Sequence, residues 1–357
     1  MRAFLASLVR PSPRPDHSLT SRTHVDLYDY GLSGTDGVDV ILRRIQRTPN
    51  ATHINLGHNP LGDDVIASIV QYLCGPGSNI PVEEMNLNNC GISDSGLYII
   101  SKYVKQSTCL QRLFLMNNQI VGTKLVAKTF ADALNHSKVR TLVLTNNELL
   151  SDIFLTRFLE HLNAPYLRNL QLSRLGLTQA SIPALEMFLT SPACYGLRCL
   201  HLNANALSYD GLNKLTTALL TGNTTICEME VYANSESGDD DSVRETTTQA
   251  LGLLAARNLV YLRRVEREAK SLLSIGRTVL LENSNDGLIS SYSPSTFPWQ
   301  KLAPELKCHI LQFMHTVLSD TQHTRGDQGA AGSVLTSSYL EWDAIGVRLL
   351  WLKTAIL

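Results

Sequence analysis

Large rings are scarce in this chain of 357 residues: 6% are aromatic and three are tryptophan. Compact enzymes are rarely composed this way, and the shortage points to burial by aliphatic side chains. A surplus of either charge is also missing, with Lys+Arg at 31, Asp+Glu at 32 and a formal net charge of -1. No global field is available to draw in phosphate backbones or an acidic membrane surface, so neither nucleic acid nor membrane is an expected partner. The seven cysteines (Cys74, Cys90, Cys109, Cys194, Cys199, Cys227 and Cys308) are odd in number and contain no C-x-x-C pair. This argues against a disulfide framework or a zinc knuckle and leaves reduced, mostly buried thiols as the expectation.

No apolar run approaches the roughly 18 residues of a membrane span. The sequence therefore predicts a soluble protein of the cytoplasm, with the nucleus as the alternative compartment. The opening apolar stretch ends at Arg10 without a small-residue cleavage site, which argues against a secretory signal, and mitochondrial targeting is the weaker alternative. Pro11, Pro13 and Pro15 interrupt any continuous helix, so residues 1–22 read as a flexible arm.

Leucine, by contrast, occurs 58 times and asparagine 22 times. Aligned against itself, the chain shows L-x-x-L-x-L-x-x-N-x-L followed by a helical stretch, recurring every 28 to 31 residues over 23–236 in eight copies. The first strand position falls at Val25, Ile54, Met85, Leu113, Leu142, Leu170, Leu200 and Met229. Three residues after the second strand position comes a slot held by Asn59, Asn118, Asn147, Asn205 and Asn234, with Tyr30, Cys90 and Leu175 in the other copies. A primary amide there can bridge backbone groups of neighbouring turns that burial would otherwise leave without partners. Two residues further on, Leu32, Leu61, Ile92, Ile120, Leu149, Leu177 and Leu207 should return to the core. Between strands, Val65, Ile66, Ile69, Val70 and Leu73 share one helical face, as do Leu212, Leu215, Leu219 and Leu220. One strand and one helix cannot bury their apolar faces alone, so the predicted fold class is α/β. The units stack into a right-handed solenoid with a parallel sheet on the concave side and helices on the convex side.

This pattern resembles the leucine-rich repeats of the ribonuclease-inhibitor type and covers about the first two thirds of the chain. The resemblance implies a horseshoe that binds other proteins and names no partner, because solenoids of this type bind unrelated molecules.

After the repeats, 237–242 is an acidic break, similar to the acidic tail following this repeat type in Ran GTPase activators. Residues 243–283 turn helical, with Leu251, Leu254, Leu259, Leu262, Val265 and Leu272 as apolar positions, and read as one or two helices capping the last repeat. Residues 284–296 form a linker rich in Asn, Ser, Gly and Pro. The segment 297–357 reads as helical, including a last helix over 339–355. Its start, with Leu302, Pro304, Glu305, Leu306, Ile310, Leu311, Phe313 and Met314, resembles the opening of an F-box, although Ala303 stands where that motif has proline.

Paired carboxylates, nucleophile arrangements, phosphate-cradling glycine loops and metal-ligand clusters do not emerge from the spacing. The expectation is a chain without catalytic residues, cofactor or metal. The informative surface is the concave one, where Phe114, Met116 and Val143 should form an apolar patch. Arg112, Asn86, Gln171, His201 and Tyr232 are further candidates for contact with a protein partner. The leading expectation is a monomeric, non-enzymatic protein-binding scaffold. The alternatives are a substrate receptor docked through the F-box-like segment on a cullin-ligase adaptor, and a GTPase activator of the Ran type.

Overall fold

The computed structural model describes residues 22–234, 241–281, 341–342 and 347–348, with side chains through Asn234 and again over 242–267. The expected arm, linker and F-box-like residues, and most of the acidic break, lie outside the described residues. Strands β1 (His24–Asp26), β2 (His53–Asn55), β3 (Glu84–Asn86), β4 (Arg112–Phe114), β5 (Thr141–Val143), β6 (Asn169–Gln171), β7 (Cys199–His201) and β8 (Glu228–Glu230) form one open, parallel sheet in chain order. Between them run α1 (Gly34–Gln46), α2 (Gly62–Cys74), α3 (Asp94–Gln106), α4 (Lys124–Asn135), α5 (Asp152–His161), α6 (Ile182–Leu189) and α7 (Tyr209–Gly222). The register places Val25, Ile54, Met85, Leu113, Leu142, Leu170, Leu200 and Met229 in one row across the sheet, the row read from the period. Helices are about 10 Å wide and strands sit about 4.8 Å apart, so stacking the two curves the array with the sheet inside.

Each strand ends because the chain turns left-handed. Asp29, His58, Asn89, Asn117, Asn146, Arg174, Ala204 and Ala233, one residue before each slot, all have φ between 54 and 61°. Asparagine tolerates this conformation. Three of these positions also form a side-chain ladder, Asn117 donating to Asn89 and Asn146 to Asn117, each at 2.8 Å. Ala204 has no such compensation. Ala204→Gly is expected to stabilise the fold by about 0.5–1 kcal/mol, the left-handed cost of a Cβ less glycine's extra freedom when unfolded. An unchanged or lower thermal midpoint would contradict this.

The slot amides join successive coils. Asn59 Oδ1 accepts from the backbone N–H groups of Tyr30 (3.0 Å) and Leu32 (2.9 Å), while Nδ2 donates to the carbonyls of Leu27 and Leu56, both at 2.8 Å. Asn118 and Asn205 make the same four contacts. Cys90 reproduces the donating half, its Sγ reaching the Leu56 carbonyl at 3.4 Å, and burial pushes its thiol up to about 12 against the opposing effect of the Asn59 N–H. Leu175 is fully buried and fills its slot with hydrocarbon.

A second set of bridges crosses the helix starts, which the period does not reveal. Asp94 accepts from the backbone N–H groups of Val121 (3.0 Å), Gly122 (2.7 Å) and Thr123 (2.8 Å) of the next coil. Burial alone would raise its carboxyl, but these donors together hold it below the usual carboxylate value. Asp63 and Asp152 reach Ser93 and Thr178 in the same way.

The core contains the expected stripes of α2 and α7, with Leu220 partly buried at its edge. The fifth repeat departs from the pattern: Leu149 is 58% exposed and Leu150 is buried instead. There the Leu150 N–H bonds the Asn147 carbonyl at 2.9 Å, a tight turn that brings the second leucine inward. Beyond the sheet a single helix, α8 (Asp241–Leu281), lies against α7. Leu251, Leu254 and Val265 are buried as the pattern suggests, but Leu259 is exposed and Asn258 takes the inward position. Asn258 Nδ2 donates to the Ile226 carbonyl at 2.8 Å, and Arg257 donates to the carbonyls of Leu220 and Asn223, so α8 satisfies the polar end of the last coil. Of the helix expected over 339–355 only four residues are described, and these form two short strands, β9 (Glu341–Trp342) and β10 (Val347–Arg348), paired antiparallel.

Candidate functional site

Because the middle residue of every strand enters the core, the two flanking residues stand on the concave face. At its amino end the rings of His24 and His53 stack at 4.3 Å, and Arg112 Nη2 lies 3.0 Å from His53 Nε2. Arg112 Nε also donates to Glu84, so this guanidinium is held by its neighbours while its side chain stays 38% exposed. Asn86 accepts from the Asn88 N–H at 3.0 Å, and Asn88 accepts from the Met116 N–H at 2.7 Å, side-chain caps that order the strand exits.

In the middle of the face Phe114 and Met116 are half-buried. Val143, expected beside them as exposed surface, is 2% exposed. It is paired between Phe114 and Gln171, both longer side chains, and offers nothing to a partner. Accessible apolar surface appears instead where the strands of these same repeats give way to helices: Val121, Leu125, Leu149 and Ile153 are all exposed, Leu125 at 69%. The periodic reading placed Leu149 in the core and did not single out the other three, since nothing local marks a convex apolar residue as uncovered.

At the carboxyl end Gln171 is half-buried and Tyr232 is exposed, with the Tyr232 N–H donating to Asn203 at 2.8 Å. His201 stands between two carboxylates, Nε2 3.6 Å from Glu228 and Nδ1 3.4 Å from Glu230. The repeat period singled out His201 as a contact residue but gave no reason to group it with Glu228 and Glu230, which stand on the next strand. Among the described residues the cysteines form no disulfide, as expected, but only Cys90 and Cys194 are buried; Cys74, Cys109, Cys199 and Cys227 are half-exposed. No described helix is long and apolar enough to cross a membrane.

No family model matches the chain. Over 198 residues, 56% of the chain, it is 30% identical to NACHT, LRR and PYD domains-containing protein 9 of Bos taurus, of which the match spans 16%. Over 110 residues, 30% of the chain, it is 29% identical to Ribonuclease inhibitor of Mus musculus, of which the match spans 24%. The chain thus covers under a quarter of the length of either relative. Among solved structures, Leiomodin-1 Actin-Binding Site 2 (ABS2) aligns with a TM-score of 0.28 at 15% identity, over 66% of this chain and 94% of that one. With eight parallel strands in register, each turning into a helix behind the sheet, and this likeness to two leucine-rich-repeat proteins, residues 24–230 are leucine-rich repeats of the ribonuclease-inhibitor type.

Proposed function

We propose that this protein is a non-enzymatic scaffold that holds a protein partner against its repeats. The observation that carries the reading is the accessible apolar surface on repeats four and five: Phe114 and Met116 on the concave face, and Val121, Leu125, Leu149 and Ile153 exposed where these repeats turn into their helices. Apolar clusters of this kind usually serve recognition, and amides such as Asn86, Asn88 and Gln171 around them suit the polar rim of a protein interface. The reading needs no catalytic group.

Phe114→Ala is expected to weaken partner capture by about 2 kcal/mol, roughly 30-fold, while circular dichroism stays unchanged. Leu149→Asp, at an exposed position, should reduce capture without touching the core. The measurement is affinity capture with the full chain and both variants, followed by mass spectrometry. If both variants hold the same proteins as the parent, this surface is not the binding site.

A further inference from the structure

We infer that the carboxyl-terminal end of the concave face binds a divalent transition-metal ion through His201, Glu228 and Glu230, with zinc the best-fitting species. The sheet builds the site. Pairing of β7 with β8 sets Cys199 opposite Glu228 and His201 opposite Glu230, and with Leu200 turned into the core all four flanking side chains share the concave side. One donor atom from each of His201, Glu228 and Glu230 lies within 4.8 Å of the others.

The spacing suits metal coordination better than hydrogen bonding. The imidazole nitrogens stand 3.6 and 3.4 Å from carboxylate oxygens, long for a hydrogen bond. Only one ring nitrogen can ligate a given ion, and a tetrahedral zinc centre with bonds of about 2.0 Å has ligand-to-ligand edges of about 3.3 Å, a spacing that one nitrogen and one oxygen from each carboxylate, already within 4.8 Å of one another, reach by small side-chain rotations. His201 Nε2 is shielded from solvent and has no hydrogen-bond partner, an arrangement that is costly unless something else occupies it. Its ring is only 20% exposed.

Charge and orientation point the same way. Glu228 and Glu230 project two residues apart on one face, and among the described residues no lysine or arginine pairs with either. Each is oriented through one oxygen: Cys199 Sγ donates to Glu228 Oε2 at 3.3 Å, and Asn203 Nδ2 donates to Glu230 Oε2 at 2.7 Å. Such outer contacts are what hold ligating carboxylates in place. One imidazole with two carboxylates favours zinc or its neighbours over magnesium or calcium, which prefer all-oxygen shells. Three protein ligands leave a position open to water or to a group brought by another molecule.

The test is isothermal titration calorimetry of the untagged, chelator-stripped, reduced full chain with zinc chloride, backed by cobalt(II) absorption. One site per chain is expected, with affinity at least tenfold weaker in Glu228→Gln and in His201→Gln, no heat from magnesium, and a zinc-dependent rise in thermal midpoint that both variants lose. Glu228 is mostly solvent-facing, so the isosteric amide retains the fold even if the His201 variant does not. Cys109→Ser, which precedes β4 and lies far along the array from the site, should keep binding. Three results would overturn the inference: no zinc binding by the parent, equal affinity in Glu228→Gln, or binding that only cysteine substitutions remove.

Discussion

Truncation of Phe158 to alanine is expected to cost about 4 kcal/mol, the largest effect of any single side chain considered, because it empties the middle of the array. Phe158 and Phe154 on α5 and Phe130 on α4 are all fully buried, with Phe158 stacked 5.4 Å from Phe154 and 5.9 Å from Phe130. The ring therefore joins two coils, and its loss removes both the transfer energy of an aromatic side chain and the contacts between neighbouring units. Little collapse can fill the space, since α5 is a ten-residue helix held on either side by α4 and α6. In a solenoid stability is nearly a sum of units and nearest-neighbour interfaces, so damage at this junction should lower the thermal midpoint by about 8–16 °C and broaden the transition. Calorimetry showing a shift under about 2 °C, at most about 1 kcal/mol on this scale, would mean that the phenylalanine stack is not what couples the fourth and fifth repeats.

Asn59→Ala is expected to cost about 3 kcal/mol without removing any apolar contact. Its amide serves two N–H groups and two carbonyls from two coils, and alanine would leave these backbone groups unpaired in a fully buried position. A buried group without its partner costs roughly 1–3 kcal/mol, and partial access of water near exposed Tyr30 keeps the total below the simple sum. Asn59→Cys should cost less, since Cys90 shows that a thiol can still donate to a carbonyl of the preceding coil. Asn89→Ala, on the exposed ladder, should cost about 1 kcal/mol, part of it the left-handed backbone that asparagine tolerates better than alanine. Urea unfolding of the three variants reads the order directly. A cost for Asn89→Ala equal to that of Asn59→Ala would show that burial is not the deciding factor.

The two largest effects differ in how far they could be foreseen. The slot of Asn59 follows from the repeat, and the role of its amide follows from the need to satisfy buried backbone groups. The aromatic stack follows only in part: Phe154 and Phe158 are four apart on α5 and Phe130 stands one period before Phe158, but the contact between the two helices exists only once α4 and α5 are packed. Legibility ended at the same boundary on the concave face. Alternation identified which residues stand there, but exposure depends on the size of neighbours one strand away, which is why Val143 is covered while Phe114 and Met116 remain half-accessible. Leu149 and Leu150 exchanged places because one tight turn altered the phase of a single repeat.

By itself the sequence determined the α/β repeat, the row of strand residues from Val25 to Met229, the helical stripes and the amide slots. Each of these is a local periodicity repeated along the array, the strand row in all eight copies and the slot asparagine in five, so the same physical requirement is written many times over. Only the tertiary structure decided the left-handed turn before each slot, the aspartate bridges between helix starts, Asn258 in place of Leu259 on α8, and the grouping of His201 with Glu228 and Glu230. Those features depend on distances between coils and on the direction a side chain takes among its neighbours, which the spacing of residues along one chain does not specify.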